Sequence, residues 1–206
     1  MAAKTPHEVE IKFRVDDLAL LRRSLRKLGF RELTPRLHEF NTLYDFPDRQ
    51  LRLRRELLRI RHYGDSWILT HKSRGPKGRH KRRVEIETTV ADGTALAQIF
   101  AILGMEESFI YEKYRSEWSD SHGYVVLDEM PIGQFAEIEG RPAWIDKVAR
   151  KLGVQRRQYI TASYAGLFLE WKRRTGSTAR NMSFKEIPKR LRYGAKKPAK
   201  KRSRRK

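Results

Sequence analysis

The chain of 206 residues contains no cysteine. Disulfide frameworks, thiolate zinc sites and cysteine nucleophiles are thereby excluded, and a reducing compartment fits that absence. Its six histidines are scattered, with no His-x-x-x-His pair to set two imidazoles on one helix face, so zinc is not expected. Long apolar runs are missing too. The most apolar stretch, Ala95 to Leu103, is broken by Gln98 and is too short to span a bilayer. With no apolar core of signal-peptide length at the N-terminus, the expectation is a cytoplasmic protein without a transmembrane segment. Gly75-Pro76-Lys77-Gly78 lacks the Gly-x-x-x-x-Gly-Lys-Ser/Thr spacing of a phosphate loop, and no Gly-x-Ser-x-Gly elbow supports a serine nucleophile.

Acidic residues are the other shortage. The chain carries 46 Lys/Arg against 25 Asp/Glu, a net charge of +21. The excess is uneven: residues 172 to 206 hold sixteen Lys/Arg and one acid, Glu186, so +15 sits there and +6 on residues 1 to 171. Residues 1 to 171 are long enough for one domain with a real core. Residues 172 to 206, with Pro188, Pro198 and the basic cluster from Lys196 to Lys206, are expected to be a disordered tail. Such a tail attracts nucleic acid, polyphosphate or an anionic membrane in a salt-dependent way. Only Phe184 and Tyr193 interleave its cations, so sequence-specific recognition is not indicated.

What the chain does have is alternation. Side chains on a strand point to opposite faces with a period of two, so Glu8, Glu10 and Lys12 share one face and Val9, Ile11 and Phe13 the other. The pattern recurs at Arg59/Arg61, Thr70/Lys72, Arg83/Glu85/Glu87, Lys113/Arg115/Glu117, Asp128 and Glu137/Glu139. Residues 9 to 29 also match residues 84 to 104 at a constant offset of 75, each copy reading as a strand, an amphipathic helix and a closing glycine. The spacing predicts further strands at Asn41 to Phe46, Leu57 to Tyr63, Ser66 to Lys72, Phe109 to Ser119, Gly123 to Glu129 and Gln134 to Gly140, eight in all. Helices are predicted near Pro142 to Leu152 and Ile160 to Trp171. Short turns between strands imply antiparallel pairing. The expected fold is α+β: an eight-stranded antiparallel β-barrel with a charged interior and the helices packed outside. Burying unpaired ions costs several kcal/mol each, so the lumen charges must neutralise one another or a ligand.

The inward set pairs oxygen donors, which suit hard cations such as Mg²⁺ or Mn²⁺, with ammonium and guanidinium groups, which suit phosphate oxygens. Together they match a metal-bound polyphosphate.

Glu8-x-Glu10-x-Lys12, Leu58-Arg59-Ile60-Arg61, Thr70-x-Lys72, Arg83-x-Glu85-x-Glu87, Lys113-x-Arg115, Asp128 and Glu137-Ile138-Glu139 fall in an order that resembles the CYTH, or triphosphate tunnel metalloenzyme, superfamily over residues 7 to 171. The resemblance implies a tunnel binding a triphosphate with Mg²⁺ or Mn²⁺. Glu8, Glu10, Asp128, Glu137 and Glu139 would then supply metal-ligand oxygens, and Lys12, Arg59, Arg61, Lys72, Arg83, Lys113 and Arg115 would grip phosphates. Lys12, Glu85 and Glu87 are the residues expected to take part in catalysis, with no general base singled out among them. Tyr44-Asp45-Phe46-Pro47-Asp48 and Leu127-Asp128-Glu129 to Phe135 are most similar to class IV adenylyl cyclases, which convert ATP to cyclic AMP and pyrophosphate. Related tunnels hydrolyse thiamine triphosphate, inorganic triphosphate or nucleoside triphosphates, and a non-catalytic polyphosphate- or RNA-binding module is the rival from another class. Ser73-Arg74-Gly75-Pro76 departs from the compact Gly-Pro of the family, and homodimerisation is left open.

Overall fold

A computed structural model describes residues 7–76 and 78–191. Eight strands, β1 (His7–Arg14), β2 (Arg31–Asp45), β3 (Leu57–Tyr63), β4 (Ser66–Lys72), β5 (Lys81–Val90), β6 (Glu106–Ser119), β7 (Gly123–Met130) and β8 (Gly133–Gly140), close into an antiparallel barrel. Its order is β1-β5-β4-β3-β2-β6-β7-β8. Among the described residues five α-helices accompany it: α1 (Leu18–Lys27), α2 (Gln50–Arg54), α3 (Gly93–Ile102), α4 (Pro142–Lys151) and α5 (Tyr164–Thr175).

The barrel is built from two copies of one unit. Adding 75 to the number carries Asp17, the N-cap of α1, onto Asp92, the N-cap of α3, and Gly29 onto Gly104, whose φ values are 86° and 82°. It also carries the first residue of β2, Arg31, onto that of β6, Glu106. Exchanging β1–β4 with β5–β8 maps the strand order onto itself; the two halves interlock, meeting at the β1/β5, β4/β5, β2/β6 and β1/β8 pairs. Such a duplicated ring leaves no open edge.

The apolar faces of the strands point outward, under the helices. Ile11, Phe13, Trp118, Val125, Leu127, Ala136 and Ile138 pack with Leu21 and Leu25 of α1 and Ile145 and Val148 of α4. Tyr44 and Ile60 pack beneath Phe100 of α3 and Leu51 of α2. A third cluster gathers α5, through Leu167, Phe168 and Trp171, with Tyr111, Met130 and Phe135. Met130 and Phe135 share the inward faces of Asp128 and Glu137 by strand alternation. One part of the lumen is therefore stopped with apolar side chains.

Strand β2 starts ten residues earlier than the alternation predicts. Pro35 and the register shifts between Glu32 and Leu37 break the period of two against β6, and a bulge of this kind hides a strand from pattern reading. The short helix α2 was also not anticipated. Gly75 lies so close to Arg82 that an added Cβ would come 1.7 Å from its carbonyl oxygen, which accounts for the glycine in the β4–β5 connection.

Packing does not stop at Trp171. Helix α5 runs to Thr175, and Met182 then pairs in parallel with Tyr111 of β6, donating to the Ile110 carbonyl at 3.0 Å and accepting from the Glu112 amide at 3.2 Å. Ile160 pairs antiparallel with Lys12 of β1, donating to its carbonyl at 2.7 Å and accepting from its amide at 3.3 Å. These bridges occupy stretches of β6 and β1 that lie beyond the reach of β7 and β5. Met182 and Ile187 are fully buried. The boundary expected at residue 171 is thus corrected, because residues 172 to 191 supply backbone pairing and apolar contacts that the barrel would otherwise lack. The disorder expected of residues 192 to 206 lies outside the described residues.

Replacing Met182 with Ala is expected to destabilise the protein by about 2–5 kcal/mol, the usual cost of emptying a buried methionine site. Chemical denaturation of the full chain measures this, and an unchanged midpoint would show that the segment is a passive appendage.

Candidate functional site: a charged tunnel

Inward-facing positions of all eight strands converge on one cavity of about 890 Å³. Strand β1 contributes Glu8, Glu10 and Lys12; β3 Arg59 and Arg61; β4 Lys72; β5 Arg83, Glu85 and Glu87; β6 Lys113 and Arg115; β8 Glu137 and Glu139. Of the residues singled out in the sequence as candidate metal ligands, phosphate-gripping or catalytic groups, Asp128 alone is not part of its lining.

Asp128 has no exposed surface. Its carboxylate accepts two hydrogen bonds from Arg115 at 2.7 Å and one from Lys113 at 3.2 Å, and the Tyr164 hydroxyl donates a fourth at 2.6 Å. Three of these donors meet Oδ2 and one meets Oδ1. In this arrangement it anchors Lys113 and Arg115. Glu137 is held likewise, by Lys12 at 2.7 Å and Arg115 at 2.7 Å. Burial alone would raise the Glu137 carboxyl, but Lys12 and Arg115 outweigh it and hold the group well below the usual range. Lys12, buried beneath Glu137 and Glu10, is correspondingly held above the ordinary lysine value.

The opposite situation prevails where carboxylates crowd. Burial, with the charges of Glu8 and Glu10 next, pushes Glu139 up to about 8. Glu8 and Glu85 share Lys72, at 2.9 and 2.8 Å. Against the cost of burial, Lys72 and Lys81 bring Glu8 down to about 2, whereas burial and the Glu8 charge take Glu85 up to about 7. Lys81 pairs with Glu10. Glu87 accepts from Arg61 at 2.6 Å, Thr70 at 2.7 Å and Arg59 at 3.3 Å. Arg83 reaches the cavity with no carboxylate partner among the described residues. Nor, among those residues, do three His, Asp or Glu side chains stand ready as a metal cage; Glu8 and Glu10 are tied to lysines.

Sequence reasoning missed several members. Glu39 is fully buried between Lys113 at 3.3 Å, Arg115 at 3.6 Å and Arg61 at 3.9 Å. Its signal was present, since Glu39 and Asn41 alternate with Phe40 and Thr42, but it lay upstream of the expected start of β2. Lys81, two residues before Arg83, was legible in the same way. Tyr111, which accepts a hydrogen bond from Arg59 at 3.0 Å, hid as an aromatic in an alternating strand. Tyr164 gave no signal. It arrives from α5, with the Lys12 ammonium 4.1 Å from its ring centroid.

The raised carboxyls have a checkable consequence. A group whose folded pKa lies above its unfolded value contributes stability that is present below about pH 4.5 and is lost as pH rises through the folded value. For Glu85 and Glu139 that window runs from about 4.5 to about 7 and 8. Thermal stability of the metal-free protein should therefore fall across pH 5 to 8, and Glu139→Gln should flatten the fall, each kcal/mol recovered at pH 8 raising Tm by about 2–4 °C. Calorimetric scans read this, and an identical slope in the variant would contradict it.

The CYTH domain model matches residues 6–164. A Methanocaldococcus jannaschii protein named as a candidate adenylate cyclase is 33% identical over 135 residues, which are 64% of this chain and 75% of that one. Among solved structures, a candidate adenylate cyclase from Vibrio parahaemolyticus superposes with a TM-score of 0.71 at 18% identity, covering 81% of this chain and 99% of its own. A Hippeastrum protein, a candidate adenylyl cyclase described as having a dominant triphosphatase activity, superposes with a TM-score of 0.60 at 16% identity, over 80% of this chain and 95% of its own. With its duplicated antiparallel barrel, its inward carboxylates and cations, and a match over most of its length, this chain belongs to the CYTH domain family.

Proposed function

We propose that the protein is a divalent-metal-dependent enzyme acting on an organic triphosphate, with conversion of ATP to cyclic AMP and pyrophosphate as the leading reaction. The supporting observation is one lumen in which Glu8, Glu10 and Glu139 crowd together while Arg59, Arg61, Lys72 and Arg83 face the same space. Carboxylates crowded at a cost to their own ionisation supply oxygen-only donors, the chemistry that suits Mg²⁺ or Mn²⁺. Glu8, Glu10 and Glu139 would hold the metal, which would neutralise phosphate charge when bound.

In the cyclase reading the ribose 3′-oxygen attacks the α-phosphorus and pyrophosphate leaves. Lys12, held protonated by Glu137 and Glu10, serves as a fixed positive charge and not as a base. Glu85, raised to about 7, is matched to accept the 3′-hydroxyl proton near neutral pH. Arg59 and Arg61, fixed by Glu87 and Tyr111, grip the phosphates. Asp128 and Glu39 hold Lys113 and Arg115 in position. The second reading is triphosphate hydrolysis. Glu85 could take a proton from water equally well, and the Hippeastrum relative is described by that activity.

Incubation with ATP and Mg²⁺ or Mn²⁺, followed by product separation, tests the pair: cyclic AMP plus pyrophosphate is expected, whereas ADP plus phosphate would replace the cyclase with the hydrolase. Glu85→Gln should lower kcat about 10²–10⁴-fold, the usual worth of a general base. Full turnover in Glu10→Ala would overturn both readings.

A further inference from the structure

The duplicated unit carries the same helix twice, with opposite outer surfaces. At the offset of 75, Arg22, Arg23, Ser24, Arg26, Lys27 and Leu28 of α1 and its C-cap correspond to Ala97, Gln98, Ile99, Ala101, Ile102 and Leu103 of α3 and its C-cap. The outer face of α1 is an ordinary solvated one, where Arg22 reaches Glu129 and Arg26 reaches Glu32. Helix α3 has no charged side chain at all. Ile99, Ile102 and Leu103 are 51, 86 and 65% exposed, which makes an apolar patch of roughly 400 Å², the size that marks interaction sites on monomers. The fold does not demand this, because the same unit in the same chain closes with a charged helix in that position.

The two helices also differ in what lies beside them. Strand β8 runs into α4, which packs next to α1: Leu28 joins the cluster of Ile145 and Val148, and the Phe30 and Trp144 ring centroids are 6.1 Å apart. The end of α1 thus meets the start of α4, an antiparallel arrangement. Strand β4, the match of β8, runs instead into the connection to β5, and no helix forms there among the described residues. Helix α3 buries Phe100, packs Leu96 and Ala97 on the same cluster, and meets the short α2 through Leu51. Leu103, the match of Leu28, stays largely exposed.

Charge singles out the same surface. From Val84 to Glu112 the chain has no Lys or Arg and six acids, whereas the matching residues 9 to 37 hold eight Lys/Arg and four acids. Two copies of a chain with a net charge of +21 repel each other, and they approach closely only where neither presents a cation. Helix α3 is such a place, and covering Ile99, Ile102 and Leu103 desolvates no ion.

We propose that α3 is the contact face of a homodimer, in which α3 of a second copy lies antiparallel beside it across a two-fold axis, as α4 lies beside α1. An isologous contact needs one self-complementary patch, and an apolar patch without charges of its own meets that condition. Apposing the two patches removes about 800 Å² of apolar surface. The exposed Ala95, Gln98 and Ala101 around them bring the contact to about 1,200 Å², where specific interfaces begin. A contact of that size corresponds to a dissociation constant in the micromolar range. The proposal stands apart from the lumen and from the reaction carried out there.

Sedimentation equilibrium of the full chain, at concentrations on both sides of about 10 μM, tests it. A monomer–dimer equilibrium is expected, and raising the salt from about 0.1 to about 0.5 M should strengthen it at least about threefold, because salt screens the repulsion between copies and leaves the apolar contact. Ile102→Lys should weaken the dimer at least about tenfold while the denaturation midpoint of the monomer holds, since Ile102 is exposed. Leu20→Lys, on the exposed side of α1, should leave the dimer unchanged. Because the chain has no cysteine, Gln98→Cys introduces a single thiol, and Arg23→Cys places one at the matching position of α1. A short bismaleimide should join the first into dimers and not the second. A monomer at every concentration, an Ile102→Lys dimer as tight as the parent, or equal cross-linking of both cysteine variants would overturn the proposal. Assemblies that grow beyond the dimer, or that salt dissociates, would overturn it too, by placing α3 against the cationic helices of another copy.

Discussion

The structure depends on the neutralisation of ions inside a barrel. Strands that turn their apolar faces outward beneath helices must turn their charges inward, and a buried charge that loses its partner costs about 3–5 kcal/mol. Here Asp128, Glu39 and Glu137 form a fixed frame with Arg115, Lys113 and Lys12, all nearly inaccessible to solvent. That frame is a matched set, and in such a set each member orients the others. It accounts for the position of α5 as well, because Tyr164 donates the last hydrogen bond to Asp128.

Matching is incomplete toward Glu8, Glu10, Glu85 and Glu139, and the difference separates scaffold from site. Where a carboxylate has its own cation it stays ionised. Where carboxylates share cations, as Glu8 and Glu85 share Lys72, one of them keeps a proton to near neutrality. A wall of that kind binds protons at pH 7 and can exchange them for a metal ion, which gives the tunnel a reason to hold more carboxylates than its own cations satisfy.

The repeat unit explains the ring but not its seams. Two β-α-β-β-β units place β1 against β5 and β2 against β6, and on each of β1 and β6 a stretch of backbone extends past the neighbouring strand. Ile160 and Met182 fill those stretches from outside the repeat. The C-terminal segment is thereby part of the fold, and in closing a seam it brings Arg180 to the tunnel mouth.

The sequence by itself determined which residues could face the lumen. A period of two is a property of the extended backbone, so Glu8, Glu10, Lys12, Arg59, Arg61, Glu137 and Glu139 could be placed on one face without coordinates, and the offset of 75 exposed the duplication. Only the tertiary structure decided how those charges divide. That Asp128 is enclosed while Glu139 stays protonated depends on distances across the barrel, and Coulomb and desolvation energies follow distance and burial, not spacing along the chain. For the same reason Glu39, hidden behind a bulge, and Tyr164, delivered by a helix remote in sequence, could be assigned to the site only once the barrel had closed around them.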